Sequence, residues 1–203
     1  MGSTPIFSIP FADPTDLVRD WPALSEDVAE AVEAAVAGVP VLSGMGSNVV
    51  QTVKTNAFTT SSASYTAIDG LTATITPSSD TARVLVIAQV PVSTQQADNV
   101  SAFLRLTGGN TGGFIGNASG SMERATAWSG LNDNSAYRLA RGAIAAAIIF
   151  LDSPASSSPV TYGVDMKRGV TEGNVFVNRS GDDNNNGNYG RVAASLTVIE
   201  VAP

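Results

Sequence analysis

Residues 71–93 read LTATITPSSDTARVLVIAQVPVS and contain two kinds of candidate strand separated by a turn. At 71–76 apolar residues alternate with threonine, which is the period-two pattern of a strand with one buried face. The PSSD sequence at 77–80 is rich in turn-forming residues. The run at 82–90 is almost continuously apolar, which predicts a strand buried on both faces. This short stretch therefore favours a layered β-fold.

The same succession of apolar runs and turns extends through residues 48–203. About ten short strands at this spacing, without regular alternation of helix and strand, predict an antiparallel β-sandwich of jelly-roll type. We expect residues 143–151, which are as apolar as 82–90, to be equally buried, and residues 182–188 to form an exposed hairpin tip. The other candidate strands are 48–55, 57–60, 64–68, 101–107, 113–117, 122–128, 137–151, 159–168, 173–179 and 190–201, and a DG turn is expected at 69–70.

The N-terminal part of the chain differs in charge from the rest. Residues 1–37 hold seven acidic residues against Arg19 alone, a net charge of −6 out of −7 for the whole chain. Four prolines between residues 4 and 22 prevent a long helix there. Residues 1–24 are therefore predicted to be an extended arm, and its large apolar side chains are predicted to anchor it to another protein: Phe7, Phe11, Leu17 and Trp21. The alternative is that Phe7, Phe11 and Trp21 fold back onto the β-domain of the same chain.

A short amphipathic helix is predicted over residues 25–37. Ser25 is a suitable N-cap, acidic residues follow in the first turn, and Gly38 and Pro40 end the helix. Residues 38–47 are then a glycine-containing linker. The apolar stripe is built from valine and alanine alone, which is too small for a core of its own. We therefore predict that it joins the helices of an oligomer through Val28, Ala31, Val32, Ala35 and Val36. The stripe alone does not choose between two helices and three; we expect a homotrimer.

Composition excludes several classes of function. The chain has no His and no Cys, which removes Ser-His-Asp and Cys-His catalysis, thiolate metal sites and disulfides. The net charge of −7 argues against nucleic acid as a main partner. No apolar run approaches the roughly 20 residues that a membrane-spanning helix needs. We expect no cofactor, no resident metal and no membrane insertion.

Three patterns in the sequence are possible sites. Asp182, Asn184, Asn186 and Gly187 match the first half of a calcium loop, but Ala193 stands where the loop needs a glutamate, so a polar hairpin tip is favoured. The glycines at 108–116 lack the GK[ST] sequence of a phosphate loop and are interpreted as a strand connection. Too few acids are present to favour glycoside hydrolysis by a carboxylate pair; the candidates are Glu123, Asp133, Asp152 and Asp165.

Aromatic side chains are a further candidate set. Trp128, Tyr137, Tyr162 and Tyr189 can be arranged either as a face that binds sugar or protein or as ordinary half-buried residues of a sheet. The sequence alone leaves both arrangements open.

Residues 48–203 resemble a domain that recurs in the minor structural, tail and fibre proteins of tailed-bacteriophage virions. The resemblance is carried by VVQTVKTNAFTTSSASYTAIDGLTATITPSSDTARVLVIAQV, FLDSPASSSPVTYGV and VFVNRSGDDNNNGNYGRVAASLTVIEVA. The arm sequence IPFADPTDLVRDWPALSEDVAEAVEAAVA, at 9–37, is similar to N-terminal arms of minor tail and virion-attached proteins of actinobacterial phages. The family brings no catalytic motif.

The resemblance implies a non-enzymatic virion component, assembled in the host cytoplasm, that is attached to capsid or tail by its arm and displays a β-domain outward. An anchored appendage is also what the acidic arm and the neutral β-domain favour. The alternative is a receptor- or glycan-binding module for adhesion to the host surface. An enzyme such as a depolymerase is the third and least favoured class.

Overall fold

The computed structural model describes residues 2–3, 10–11, 28–32, 45–95, 100–130, 143–169, 173–183, 185, 187 and 189–201. The chain forms two compact units, Met1–Met45 and Gly46–Pro203. The boundary between these units falls inside the predicted linker 38–47. The finer division into arm, helix, linker and β-domain stays a prediction.

The first unit contains a minimal sheet and a short helix. Strand β1 (Gly2–Ser3) pairs antiparallel with β2 (Pro10–Phe11). Residues 28–32 are helical and are named α1. Helix α1 lies inside the range 25–37 that the apolar stripe predicted, so the short helix is confirmed.

The second unit is built from strands that pair antiparallel wherever their register is defined. Its strands are β3 (Met45–Lys54), β4 (Phe58–Thr60), β5 (Thr66–Ile75), β6 (Arg83–Thr94), β7 (Ser101–Thr107), β8 (Ala127–Gly130), β9 (Ile144–Asp152), β10 (Val160–Arg168), β11 (Val175–Val177) and β12 (Ala194–Val201). One sheet has the order β5-β10-β7-β8, and the other has the order β3-β12-β6-β11-β4 with β9 added beside β6. This sandwich-like arrangement confirms the predicted mainly-β, antiparallel fold.

The core lies between the two sheets and follows the sequence alternation. In β5 the residues Leu71, Ala73 and Ile75 are buried, while the threonines between them are exposed. In β7 and β12 every second residue is buried in the same way. Because side chains alternate across a strand, each strand gives one face to the core.

Strand β6 organises the six-stranded sheet. It pairs with β9 along residues 84–92 on one side, and with β12 along 83–89 and then β11 along 92–94 on the other. Its residues Val84, Val86, Ala88 and Val90 are almost completely buried. The prediction of deep burial for 82–90 is therefore confirmed for the alternate residues that face the core. Burial on both faces is wrong, because Gln89 is exposed and Leu85 and Ile87 are half-buried.

The matching prediction for residues 143–151 is wrong. In β9 only Ile148 and Asp152 are buried, whereas Ile149 is 62% exposed and Leu151 is 40% exposed. The reason is position, because in the described part of the chain β9 pairs with β6 alone. An uninterrupted apolar run predicts a strand but does not show how many neighbours cover it.

Three local predictions also fail. Residues 69–70 form no hairpin turn, because β5 runs through them as an irregularity with Gly70 at φ +68°. Ile68 and Leu71 on either side of it are both buried. Residues 113–117 form a short 3-10 turn and coil instead of a strand, and of 122–128 only 127–128 belong to β8.

Candidate functional site

Two adjoining cavities form a groove beside the four-stranded sheet. The larger one, of about 480 Å³, is lined by Phe103, Gly116, Met122, Glu123, Ala125, Thr126, Ala127 and Trp128. The smaller one, of about 280 Å³, is lined by Ala63, Ser101, Phe103, Ser121, Glu123, Lys167, Arg168 and Gly169. Phe103 and Glu123 line both cavities, so the two form one continuous surface, named here the groove.

The strands of the sheet position the aromatic part of the groove. Phe103 of β7 stands directly opposite Trp128 of β8 in the antiparallel register. Their rings stack with centroids 6.3 Å apart and planes 20° from parallel. Trp128 remains 61% exposed and neighbouring Met122 74% exposed. The result is a flat, accessible apolar platform.

An ion pair lies at the junction of the two cavities. Lys167 Nζ is 2.6 Å from a carboxylate oxygen of Glu123. The same ammonium lies 5.3 Å from the ring centroid of Tyr65 and 5.8 Å from that of Phe103. Contacts at these distances are favourable cation–π interactions. Lys167 is thus fixed between two aromatic rings and a carboxylate.

Neighbouring charges and burial shift the pKa values of ionisable groups in and beside the groove. The hydrogen bond from Lys167 holds the pKa of Glu123 below its usual range, so Glu123 is a carboxylate at neutral pH. Partial burial, together with the charge of Glu123, raises the pKa of Tyr65 to about 12. The Arg105 guanidinium stacks over the Tyr65 ring at 4.0 Å. Burial also raises the pKa of Asp165, against the opposing charge of Arg105.

Hydrogen bonds hold the segment that closes the groove against the sheet. Arg124 Nε donates to the carbonyl of Gly116 at 2.6 Å, and the Tyr65 hydroxyl donates to the carbonyl of Arg124 at 3.1 Å. The backbone amide of Thr126 donates a hydrogen bond to the carbonyl oxygen of Leu104 at 2.8 Å. The groove wall is therefore tied to the sheet by hydrogen bonds before any ligand arrives.

Sequence reasoning found only part of this site. Of the four aromatic candidates, Trp128 lies in the groove. Tyr162 is buried in the core, where its hydroxyl donates to Asp152 at 2.7 Å, and Tyr189 is half-buried elsewhere. Tyr137 lies outside the described residues. The sequence patterns did not indicate Phe103 or Tyr65. The alternation in 101–107 could have indicated Phe103, because it places this residue on the face of the strand that points away from the core.

Two of the candidate carboxylates, Asp152 and Glu123, are engaged by other groups of the protein. Asp152 is 1% exposed and accepts hydrogen bonds from Tyr162 and from the backbone amide of Asn110. Burial raises the pKa of Tyr162, and the hydrogen bond to Asp152 adds to this shift. Glu123 is paired with Lys167, and Asp133 lies outside the described residues.

In the calcium-like loop, an acidic side chain forms ion pairs with two arginines. Asp183 forms ion pairs with Arg179 at 3.3 Å and with Arg191 at 2.5 Å, and Arg179 and Arg191 form an isolated antiparallel bridge. Asn184 and Asn186 lie outside the described residues. Within the described residues, no three acidic side chains cluster as a metal would require.

Most of the residues predicted to form the anchoring and oligomer interfaces lie outside the part of the chain that the structure describes. Phe7, Leu17 and Trp21 lie outside the described residues, as do Ala35 and Val36, while Phe11 belongs to β2 and pairs with Gly2. On α1, Val28 and Ala31 are half-buried and Val32 is 41% exposed. Both roles stay predictions.

Comparison with known proteins does not add a family: no protein-family model matches the chain, and no curated protein matches it. In the described part of the chain, no helix has the length and apolar character needed to cross a membrane.

Proposed function

We propose that this chain is a non-enzymatic structural protein of a tailed-bacteriophage virion, namely a short fibre, minor tail or capsid-decorating appendage. The observation that supports this most directly is the division into two compact units, Met1–Met45 and Gly46–Pro203. Nearly all of the net negative charge lies in residues 1–37. An acidic unit that docks on the particle, followed by an almost neutral sandwich that faces outward, suits an attached appendage.

The chemistry of the N-terminal segment supports attachment. Burial of a large apolar side chain contributes on the order of 1.5–3 kcal/mol, part of which offsets the ordering of the segment. The surrounding acidic residues favour a basic groove on the partner, which accelerates encounter and sets register. The resemblance of residues 9–37 to phage attachment arms points to the same role.

Particle incorporation tests this function. Phe7, Phe11, Leu17 and Trp21 are replaced together by serine, and the amount of the protein in purified particles is measured by quantitative mass spectrometry. We expect the variant to accumulate as free protein and to be lost from particles. The matched control replaces exposed apolar residues of the sandwich, Met122→Ser with Val192→Ser, and should assemble normally. Normal incorporation of the fourfold arm variant would refute the anchoring role.

A second candidate function, adhesion to a host-surface glycan, is favoured by the groove. Its exposed Trp128 and stacked Phe103 offer a flat apolar surface of the kind on which the carbon–hydrogen face of a sugar ring can stack. Beside it, the Glu123 carboxylate accepts hydrogen bonds and the Lys167 ammonium donates them, only 2.6 Å apart. An acceptor and a donor this close fit the vicinal hydroxyls of a neutral sugar.

Tryptophan fluorescence measures this interaction in the intact chain. The chain has two tryptophans, so Trp21→Phe leaves Trp128 as the only reporter. Titration uses glucose, galactose, mannose and N-acetylglucosamine, each up to tens of millimolar. We expect a saturable change for at least one of them, and binding about tenfold weaker when Phe103→Ala is added. Val192→Ala is the control outside the groove lining. An emission spectrum unchanged by all four sugars would refute this candidate and leave the appendage function standing.

A further inference from the structure

The outer face of the six-stranded sheet is unusually apolar for a surface. Four exposed aliphatic side chains lie on it: Val49 and Val53 of β3, and Ile149 and Leu151 of β9. Between them lie half-buried apolar residues of β6 and β12, namely Leu85, Ile87, Ile199 and Val201. We name this surface the outer face.

The register shows that these residues form one continuous patch. Ile149 is paired with Ile87, which is paired in turn with Thr197. In the next row, Leu151, Leu85 and Ile199 are aligned across the same three strands. Directly paired side chains are about 5 Å apart, close enough for contact between branched aliphatic groups.

Two polar side chains of the outer face are bonded to each other. Gln51 Nε2 donates to the Thr197 hydroxyl at 2.9 Å, so part of its hydrogen-bonding capacity is met within the face. Among the described outward residues of β3, β6, β9 and β12, one is charged, namely Arg83 at the end of β6. A charged partner would find little to pair with, whereas another uncharged face meets no repulsion.

The size of the outer face fits contact between two proteins. Four strands at roughly 4.8 Å spacing, each about eight residues long at roughly 3.4 Å per residue, cover on the order of 500 Å². Two such faces together give about 1,000 Å², the lower limit of a specific interface. Patches of several hundred Å² mark interaction sites on soluble proteins.

Strand β9, which borders the outer face and lies near β8, lacks the residues that usually discourage strand association. In the described part of the chain β9 pairs with β6 alone, and residues 144–151 contain no charged residue and no proline. Natural edge strands usually carry such residues to prevent association. Their absence here indicates that association is not opposed.

We propose that the outer face binds the outer face of a second copy of this chain. A second copy supplies a flat, mostly aliphatic surface of the same size, on which Arg83 stands at the end of β6, and two sheets pack face to face about 10 Å apart. Residues 46–203 carry almost no net charge, so two copies approach without strong repulsion. This contact is independent of the helix stripe and of the proposed function.

Sedimentation velocity from about 1 to 100 µM tests the contact with the full-length protein. We expect the wild type to self-associate and Ile149→Glu to weaken this association at least tenfold, because two charges would be buried without partners. Met122→Glu places the same charge on a more exposed side chain of the segment before β8, away from the outer face, and should behave as wild type. Circular dichroism confirms that each variant is folded, and Ile149→Thr replaces the glutamate variant if that one is not.

Two results would overturn the proposal. One is a wild-type protein that stays monomeric over the whole concentration range. The other is association that survives both Ile149→Glu and Ile149→Thr but is abolished by Val32→Glu, which would assign the contact to the predicted helix stripe.

Discussion

Gly109 shows how a single position can depend on having no side chain. Its φ is +48°, and a Cβ built there would lie 2.0 Å from Asp152 Oδ2 and 2.9 Å from the Tyr162 hydroxyl. Asp152 and Tyr162 are both buried and bonded to each other, so neither can yield easily. We expect Gly109→Ala to lower the free energy of unfolding by about 2–4 kcal/mol in urea denaturation.

Gly112 provides the matched control for this substitution. A Cβ at Gly112 would meet nothing within 4 Å, so Gly112→Ala should change stability by no more than about 0.5 kcal/mol. Equal effects of the two substitutions would show that the Asp152–Tyr162 pair does not constrain this turn.

Glu200 makes the stability of the sandwich depend on pH. It is 6% exposed, and its carboxylate accepts hydrogen bonds from the backbone amide and the hydroxyl of Ser78 and from the amide of Asn48. The bonds from Ser78 hold the pKa of Glu200 below its usual range. A carboxyl whose pKa is lower in the folded state stabilises the fold above its unfolded pKa, and this contribution is lost as pH falls through the folded pKa.

Thermal melts of wild type and Glu200→Gln at several pH values check this dependence. At pH 7 we expect the variant to melt at a lower temperature, because the amide accepts these bonds less strongly than a carboxylate. The difference should shrink toward pH 3, where the wild-type carboxyl becomes protonated. A difference that stays constant over this range would exclude the linkage.

At the residue scale, sequence reasoning reached Trp128 but not its partners. Pairing of β7 with β8 brings Phe103 to Trp128, and folding of the 116–126 segment brings Arg124 to Tyr65. Such contacts join residues about 25 to 60 positions apart, and a local pattern contains no information about which strands become neighbours.

At the scale of elements, burial is set by sheet position as much as by composition. Strands β6 and β9 have similarly apolar sequences. Strand β6 has neighbours on both sides in the sheet, whereas β9 in the described part of the chain pairs with β6 alone. The alternating pattern of β5 and the turn at 77–80 were predictable, because each depends on residues adjacent in sequence. The irregularity at Gly70 was not, since an Asp-Gly pair is equally compatible with a hairpin and with a bulge.

A pair of Val→Ala substitutions checks this difference between elements. Val86 of β6 is fully buried, and Val53 of β3 is 54% exposed. We expect Val86→Ala to cost about 1–3 kcal/mol, because it removes buried methyl groups and leaves a cavity, whereas Val53→Ala should cost less than about 0.5 kcal/mol. Urea denaturation measures both. Comparable losses would mean that the outer face is as buried in solution as the core.

At the scale of the whole molecule, the division into an N-terminal unit and a β-unit followed from charge and proline distribution. Acidic residues and prolines are concentrated before residue 38, and the observed boundary lies at 45–46. The strand order and the exposed outer face could not be predicted, because they depend on which of several similar strands pair. Attachment and copy number depend on other chains and stay predictions.

Removal of residues 1–24 separates an attachment segment from a part of the core. The described hydrophobic core and the residues packed against it all lie between Val50 and Val198. If the arm serves a partner, the truncated protein should keep the wild-type melting temperature within about 2 °C, since a change of 1 kcal/mol shifts a domain of this size by about 2–4 °C. Differential scanning calorimetry measures this, and incorporation into particles should be lost at the same time. A truncated protein that is several kcal/mol less stable would place the arm in the core of the protein itself, because only burial of side chains such as Phe7, Phe11 and Trp21 against the rest of the chain could account for that loss.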